Sequence, residues 1–285
     1  MKRGKAGRAG KREGAGRADE SAAAAEGYGR SVSGTEITDM FSYKEYKEII
    51  QIIKESGRMA NFKQARGKDQ FIIMRHDVEF SVDRAFALSK LELSMDFTST
   101  YFFQWTNNSY NILSKRNMDM IHYMHERGHE IGLHFALNGL TDMELIRKKI
   151  MQEINVLSEM LGFEIMEFSI HRPSADVLRE DIKLPGIINA YQDEYFTFAE
   201  KVTPDTRLAV KYISDAQHRW NYGKPDRETL LGNDKVQILT HPYSWTKRGY
   251  DNLENFRTLI AERNEELLDT IDNECKHFAT VRDLL

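Results

Sequence analysis

Residues 97–135 read FTSTYFFQWTNNSYNILSKRNMDMIHYMHERGHEIGLHF. Phe97–Phe103 is β-branched and aromatic, a composition that suits a strand packed on a pleated surface. Asn111–Arg127 is helical in pattern and ends at Gly128, which tolerates the left-handed turn that closes a helix. Glu130–Phe135 (EIGLHF) returns to a short apolar run and predicts a second strand. Strand, helix, strand is the βα unit from which parallel sheets are built.

The alternation continues in both directions. Upstream, Tyr43–Ser56 (YKEYKEIIQIIKES) carries apolar residues at helical spacing and stops before Gly57. Gln70–Arg75 (QFIIMR) predicts a buried strand and Val82–Met95 a helix. Downstream, Thr141-Asp-Met-Glu144 has the form of a capping box, with Thr141 as the acceptor. The helix it opens is expected to run to Leu161 and end at Gly162. Ile165–Ile170, Ile187–Tyr191, Ala209–Ile213 and Val236–Thr240 predict further strands, and Leu253–Asp272 a closing helix. That count favours an irregular (β/α) barrel, parallel strands inside and helices outside, over an open sheet. Residues 192–235 are the least periodic and are expected to form long loops that shape a substrate site.

Composition bounds the answer without deciding it. The 285 residues are 41% apolar and 29% charged, ordinary for a globular α/β domain. A net charge of −4 gives no pull toward nucleic acid, and none is expected as a partner. No apolar run approaches the ~20 residues that span a bilayer. Cys275 is the single cysteine, which excludes an internal disulfide and a thiolate zinc cluster. With no apolar core to a basic N-terminus, the expected location is cytoplasmic. Residues 1–38 are rich in Gly, Ala and Arg and are expected to form a disordered basic tail ahead of a domain over 39–285. Met40, which opens the first amphipathic stretch, would make a sensible start.

Four motifs stand at the ends of predicted strands, where ligands sit in parallel α/β folds. Arg75-His-Asp-Val-Glu79 places two carboxylates two residues apart, on one side of an extended chain. That spacing suits one acid as a metal ligand and the other as a base, and equally a pair of solvated turn acids. Gly128-His-Glu-Ile-Gly-Leu-His134 puts His134 at a strand end. Its histidines are five apart and separated by Gly132, so it is not the helical HExxH of zinc proteases. Ser169-Ile-His-Arg-Pro-Ser174 fixes Arg172 before a proline, where its planar fork can hold a carboxylate. Leu239-Thr-His-Pro242 ends the last apolar strand on His241, a candidate general acid. Each of these is also an ordinary turn on its own.

In this order, across roughly residues 70–245, the motifs resemble those of the polysaccharide deacetylase family, also known as the NodB-homology group or carbohydrate esterase family four. GHEIGLH is the most specific of them, and RHDVE is similar to the family's divergent RHDVD branch. The resemblance implies Asp77 as catalytic base, Glu79 as the metal-binding acid, His134 as the first metal histidine, Arg172 as the residue that orients the base, and His241 as the acid. It also places Asp215 and Trp220 as substrate-binding residues beside the pocket. One position departs from the pattern. The family's second metal histidine falls four residues after the first, and here that residue is Asn138. His171 then supplies the missing ligand, or water replaces it, or the site keeps binding without hydrolysis.

The expectation is therefore a divalent ion, zinc above all, assisting hydrolysis of the acyl group of an N-acylated sugar or related amide. A non-catalytic glycan-binding protein and a hydrolase of small nitrogen compounds remain alternatives on the same fold. His76 should point away from Asp77 by strand alternation. His129 reads as a turn histidine, and Phe102, Phe103 and Trp105 as either core or sugar-stacking residues.

Overall fold

The computed structural model describes residues 40–198 and 209–284, so the basic tail expected over 1–38 lies outside the described residues. The described chain holds seven strands: β1 (Phe71–Val78), β2 (Thr100–Phe103), β3 (Glu130–Ala136), β4 (Glu167–His171), β5 (Ile188–Asn189), β6 (Lys211–Ser214) and β7 (Lys235–Thr240). They form one sheet in the order β5-β4-β3-β2-β1-β7-β6. Every neighbouring pair is parallel. The sheet curls into a half-barrel with helices around it, the irregular (β/α) barrel expected from the sequence.

β1 is an interior strand, between β2 and β7, and is buried along its whole length, as a strand covered on both faces must be. Its period of two sends alternate side chains to opposite sides. Phe71 and Ile73 face inward and pack with Phe62, Phe102 and Tyr195. Ile72 and Met74 face outward, against Tyr46, Ile49, Ile50 and Ile53 of α1 (Tyr43–Ser56). The outer faces of β2–β4 are covered by α4 (Lys115–Glu126) and α5 (Met143–Leu161), which present Ile121, Met124, Ile150 and Leu157.

Chain punctuation explains the element ends. Gly57 and Gly162 close α1 and α5 in the left-handed conformation, at φ 64° and 75°. The start of α5 differs from expectation. Asp142, not Thr141, is the cap, its Oδ1 accepting from the Leu145 N–H at 2.8 Å. The helix begins at Met143, which puts Asp142 in the capping position, where a carboxylate also suits the positive end of the helix. Within 192–235, β6 falls where a strand was expected over 209–213, the short helix α7 (Arg227–Gly232) was not anticipated, and residues 199–208 lie outside the described residues.

The sheet does not close. β5 and β6 are the two edges, and side chains bridge the seam between them. Gln237 of β7 donates from Nε2 to the carbonyls of Ala190 at 2.9 Å and Tyr195 at 2.7 Å. Tyr191, Phe196 and Tyr212 then form a ladder of edge-on rings, with both centroid separations at 5.1 Å.

Two inward-facing positions yield predictions. A Cβ on Gly132 would lie 2.4 Å from Cδ1 of Phe102 and 2.9 Å from the carbonyl oxygen of Glu167. The interior thus has room for Phe102 only because residue 132 has no side chain. Gly132→Ala should lower stability by about 1–3 kcal/mol and Tm by roughly 3–10 °C, as read by a thermal melt.

Glu167 is 4% exposed on the same interior face. Burial, with Glu130 nearby adding repulsion, pushes its carboxyl up to about 8. The folded state therefore keeps a proton that the unfolded chain releases near pH ~4.3, and stability from this group falls as pH rises from there toward about 8. Glu167→Gln should melt above the wild type at about pH 8 and lose that advantage at about pH 4. Equal melting of the two proteins across the range would contradict the buried proton.

Candidate active site

The carboxyl ends of the strands converge on one cleft of about 790 Å³. Asp77 is the penultimate residue of β1, and Glu79 follows the strand's last residue. His134 comes from β3, and Ser169 and His171 from β4. Asp215 and His241 directly follow β6 and β7. Parallel topology alone brings these seven residues to the same end of the sheet.

Glu79, His134 and His171 form a cluster able to hold a metal ion. His171 Nδ1 lies 3.0 Å from Glu79 Oε1, His134 Nε2 lies 3.2 Å from His171 Nδ1, and His134 Nε2 lies 4.0 Å from Glu79 Oε1. Tetrahedral zinc with bonds of about 2.0–2.1 Å separates its ligand atoms by roughly 3.3 Å. A triangle of the observed size also has a point about 2 Å from every corner, so the three donors fit such an ion. Two imidazoles and a carboxylate are the usual donor chemistry for it.

The tautomer of His134 follows from its neighbours. Ser169 Oγ donates to Asp77 Oδ1 at 3.2 Å, so its lone pairs are free to accept from His134 Nδ1 at 2.7 Å. The ring proton then sits on Nδ1, and the Nε2 lone pair faces Glu79 and His171. A metal-ligating histidine is commonly oriented in this way through its other nitrogen. Burial pushes the His134 imidazole down to about 4, which keeps it neutral.

Asp77 is a nearly buried part of the cleft floor. Burial opposes its charge, yet Arg75, then His134 and His241, hold its carboxyl below the usual range. The Arg75 guanidinium is fully buried, 3.4 Å from Asp77 Oδ2 and 2.7 Å from the hydroxyl of Tyr191. It also lies over the Tyr191 ring, 4.5 Å from the centroid. The contact expected of Arg172 is thus made by Arg75, which shares a strand face with Asp77 at a spacing of two. Arg172 lines the cleft mouth instead, at φ 47°.

His241 faces Asp77 and Glu79 from β7. Its Nδ1 lies 2.6 Å from Asp215 Oδ1, and its backbone N–H donates to both oxygens of that carboxylate. Trp245 Nε1 donates to Asp215 Oδ2 at 2.8 Å. Burial disfavours the charged imidazole, but Asp215 outweighs it and the ring is raised to about 9. Nε2 is left facing the cleft, 3.9 Å from Glu79 Oε1.

Two substrate-binding expectations change. Asp215 is fully buried behind His241, whose ring it holds, and is not among the residues that line the cleft. Trp220 does not line the cleft; it packs with Phe41 and Trp245 and donates to Glu45 Oε1 at 3.3 Å. Asn138, at φ 48°, lines a separate polar pocket with Trp105, Asn107 and Arg263. His171 stands in the cluster where the family's second histidine was missing. Phe102 and Phe103 are core.

His76 does point away from Asp77. It joins Glu92, Ser99 and Thr240 on the outer face of the sheet. His129 is buried in its turn and accepts from the Ser99 N–H at 3.3 Å. Sequence reading missed Arg75, Ser169, Tyr191 and Trp245. The spacing of two carried a signal for the first pair, Arg75 with Asp77 and Ser169 with His171; nothing in the sequence marks the other two.

No protein-family model matches the chain. No curated protein matches it in sequence. Among solved structures it is similar to a carbohydrate esterase family 4 pseudoenzyme from Bacillus anthracis, with 13% identity and a TM-score of 0.37 over 70% of this chain and 62% of that one. It is similar to the chitin deacetylase of the fungal pathogen Colletotrichum lindemuthianum, with 17% identity and a TM-score of 0.39 over 67% and 81% of the two chains. A family 4 acetyl xylan esterase from Clostridium thermocellum, solved with a cobalt ion, gives 14% identity and a TM-score of 0.37 over 68% and 84%. The chain spans less than two thirds of the length of the Bacillus anthracis protein. A likeness at this level carries no functional weight by itself.

Proposed function

We propose that this chain is a metal-dependent hydrolase that removes the acyl group from an N-acylated sugar. The observation that carries the reading is the placement of a carboxylate and an imidazole beside one three-donor cluster. Asp77 is held ionised by Arg75 and Ser169, and His241 is held protonated by Asp215.

Glu79, His134 and His171 would hold the ion, with zinc the best match to their donor set. When bound, it would polarise the acyl carbonyl and lower the pKa of water toward about 7. Asp77 takes the proton of the water that attacks the carbonyl carbon. His241 gives its Nε2 proton to the nitrogen as the carbon–nitrogen bond breaks, so the amine leaves neutral. Asp215 keeps the ring oriented throughout, and Arg75 keeps Asp77 from turning out of the cleft. Tyr222 and Phe256, both exposed at the mouth, offer ring faces to a sugar.

The glycan-binding alternative rested on Asn138. The three-donor cluster of Glu79, His134 and His171, which does not include Asn138, favours the hydrolase reading over that alternative. Hydrolysis of a small nitrogen compound is separated from deacylation by its product, ammonia in place of acetate.

Purified protein should contain about one equivalent of divalent metal by mass spectrometry of the ions, and His134→Ala should contain little. Full metal content in that variant would remove the cluster from the mechanism. Asp77→Asn should reduce kcat for acetate release from N-acetylated sugars by about 10²–10⁴ per folded molecule, and should lower Tm because Arg75 loses its buried partner. Wild-type turnover in that variant would show that another group is the base.

A further inference from the structure

Each carboxylate near the cleft is already engaged. Asp77 meets Arg75 and Ser169, Glu79 meets His171, and Asp215 meets His241 and Trp245. Among the described residues that line the cleft, Arg172 is the only arginine or lysine. It makes no hydrogen bond or ion pair with any described residue, and its backbone is held at φ 47° immediately before Pro173. A non-glycine residue in that region of conformational space is uncommon and is kept only where surrounding structure demands it. The chain therefore spends a strained residue to put a free guanidinium at the mouth of the site, one residue from His171.

A guanidinium is always charged, and its fork matches the paired oxygens of a phosphate or carboxylate. The sugar-stacking rings at the same mouth, Tyr222 and Phe256, leave the polar edge of a bound sugar as the part such a fork can reach. From this we infer that Arg172 selects N-acylated sugars that carry an anionic group, through paired hydrogen bonds to its oxygens. The inference rests on the deacylase reading for the sugar and on Arg172 alone for the charge.

Calorimetric titration of the purified metal-loaded protein tests it, at one ionic strength. The probes are N-acetylglucosamine, N-acetylglucosamine 1-phosphate and N-acetylmuramic acid. At least one charged sugar should bind about tenfold or more tightly than the neutral one. The phosphate and carboxylate arms tell which group the site takes. Arg172→Gln should bring the charged sugars down to the affinity of the neutral one, and Arg172→Lys should recover part of the difference. A thermal melt of each variant guards against a merely structural loss.

Equal binding of charged and neutral sugars by the wild type would overturn the inference, as would a charge preference that survives in Arg172→Gln. Acetate release from the neutral sugar with no charge preference leaves the deacylase reading standing and removes only the inference. Arg172-dependent binding of a charged sugar without acetate release does the reverse.

Discussion

A carboxylate buried in the floor of a cleft stays ionised only if a cation is brought to it, and Arg75 is that cation for Asp77. Neither group is tolerable alone in such a place. Breaking a buried pair by removing one partner typically costs about 3–5 kcal/mol, because it strands the other charge. The arrangement works here because β1 is an interior strand, paired on both sides. Alternation sends residues 75 and 77 inward together, and Tyr191 stacks on the guanidinium from beyond β5. The reaction centre and the inner core are thus parts of one column of side chains, apolar at the bottom with Phe71 and Ile73, ionic at the top.

The outer face of the same strand repeats the logic with a different charge. His76 points into a fully buried network centred on Glu92, whose oxygens accept from Tyr46 at 2.6 Å, Ser99 at 2.7 Å and Tyr101 at 2.7 Å. His76 also meets Thr240 at 2.6 Å, the residue before His241. These bonds tie α1, α3 (Val82–Leu93), β1, β2 and β7 together at the height of the site. A buried polar network satisfied to this degree fixes position more sharply than apolar packing does. Arg84 performs a similar task further out, joining α3 to the carbonyl of Tyr243 and to Asn255 and Glu262 of the last helix (Asn252–Glu274).

Much of this was legible in the chain. The alternation of strand and helix patterns specifies parallel topology, and parallel topology carries Asp77, Glu79, His134, His171 and His241 to one end. What the chain hides is the choice between look-alikes. Arg75 and Arg172 both neighbour the motifs, and only the direction of a side chain separates them. The rule that residues two apart share a face favours Arg75, but the resemblance to a family that orients its base from a later motif pointed elsewhere. Trp220 and Trp245 pose the same problem. Both lie in polar stretches near the end of a strand, and only the packing shows that Trp245 reaches Asp215 while Trp220 turns to Glu45. Thr141 and Asp142 are adjacent capping residues, and a shift of one position decides between them.

The unclosed edge between β5 and β6 bears on how such a protein changes over time. Among the described residues, Tyr191, Phe196 and Tyr212, with Tyr222 beside them, line the cleft on that side, and no strand-to-strand hydrogen bonds join β5 to β6. Replacing Phe196 or Tyr222 alters the width and chemistry of the wall without disturbing a ladder of backbone bonds. Tyr191 is tethered to Asp77 through Arg75, and Tyr212 through Tyr191. Substitutions on this wall can therefore reshape what the cleft admits while Asp77, Glu79, His134 and His241 keep their places.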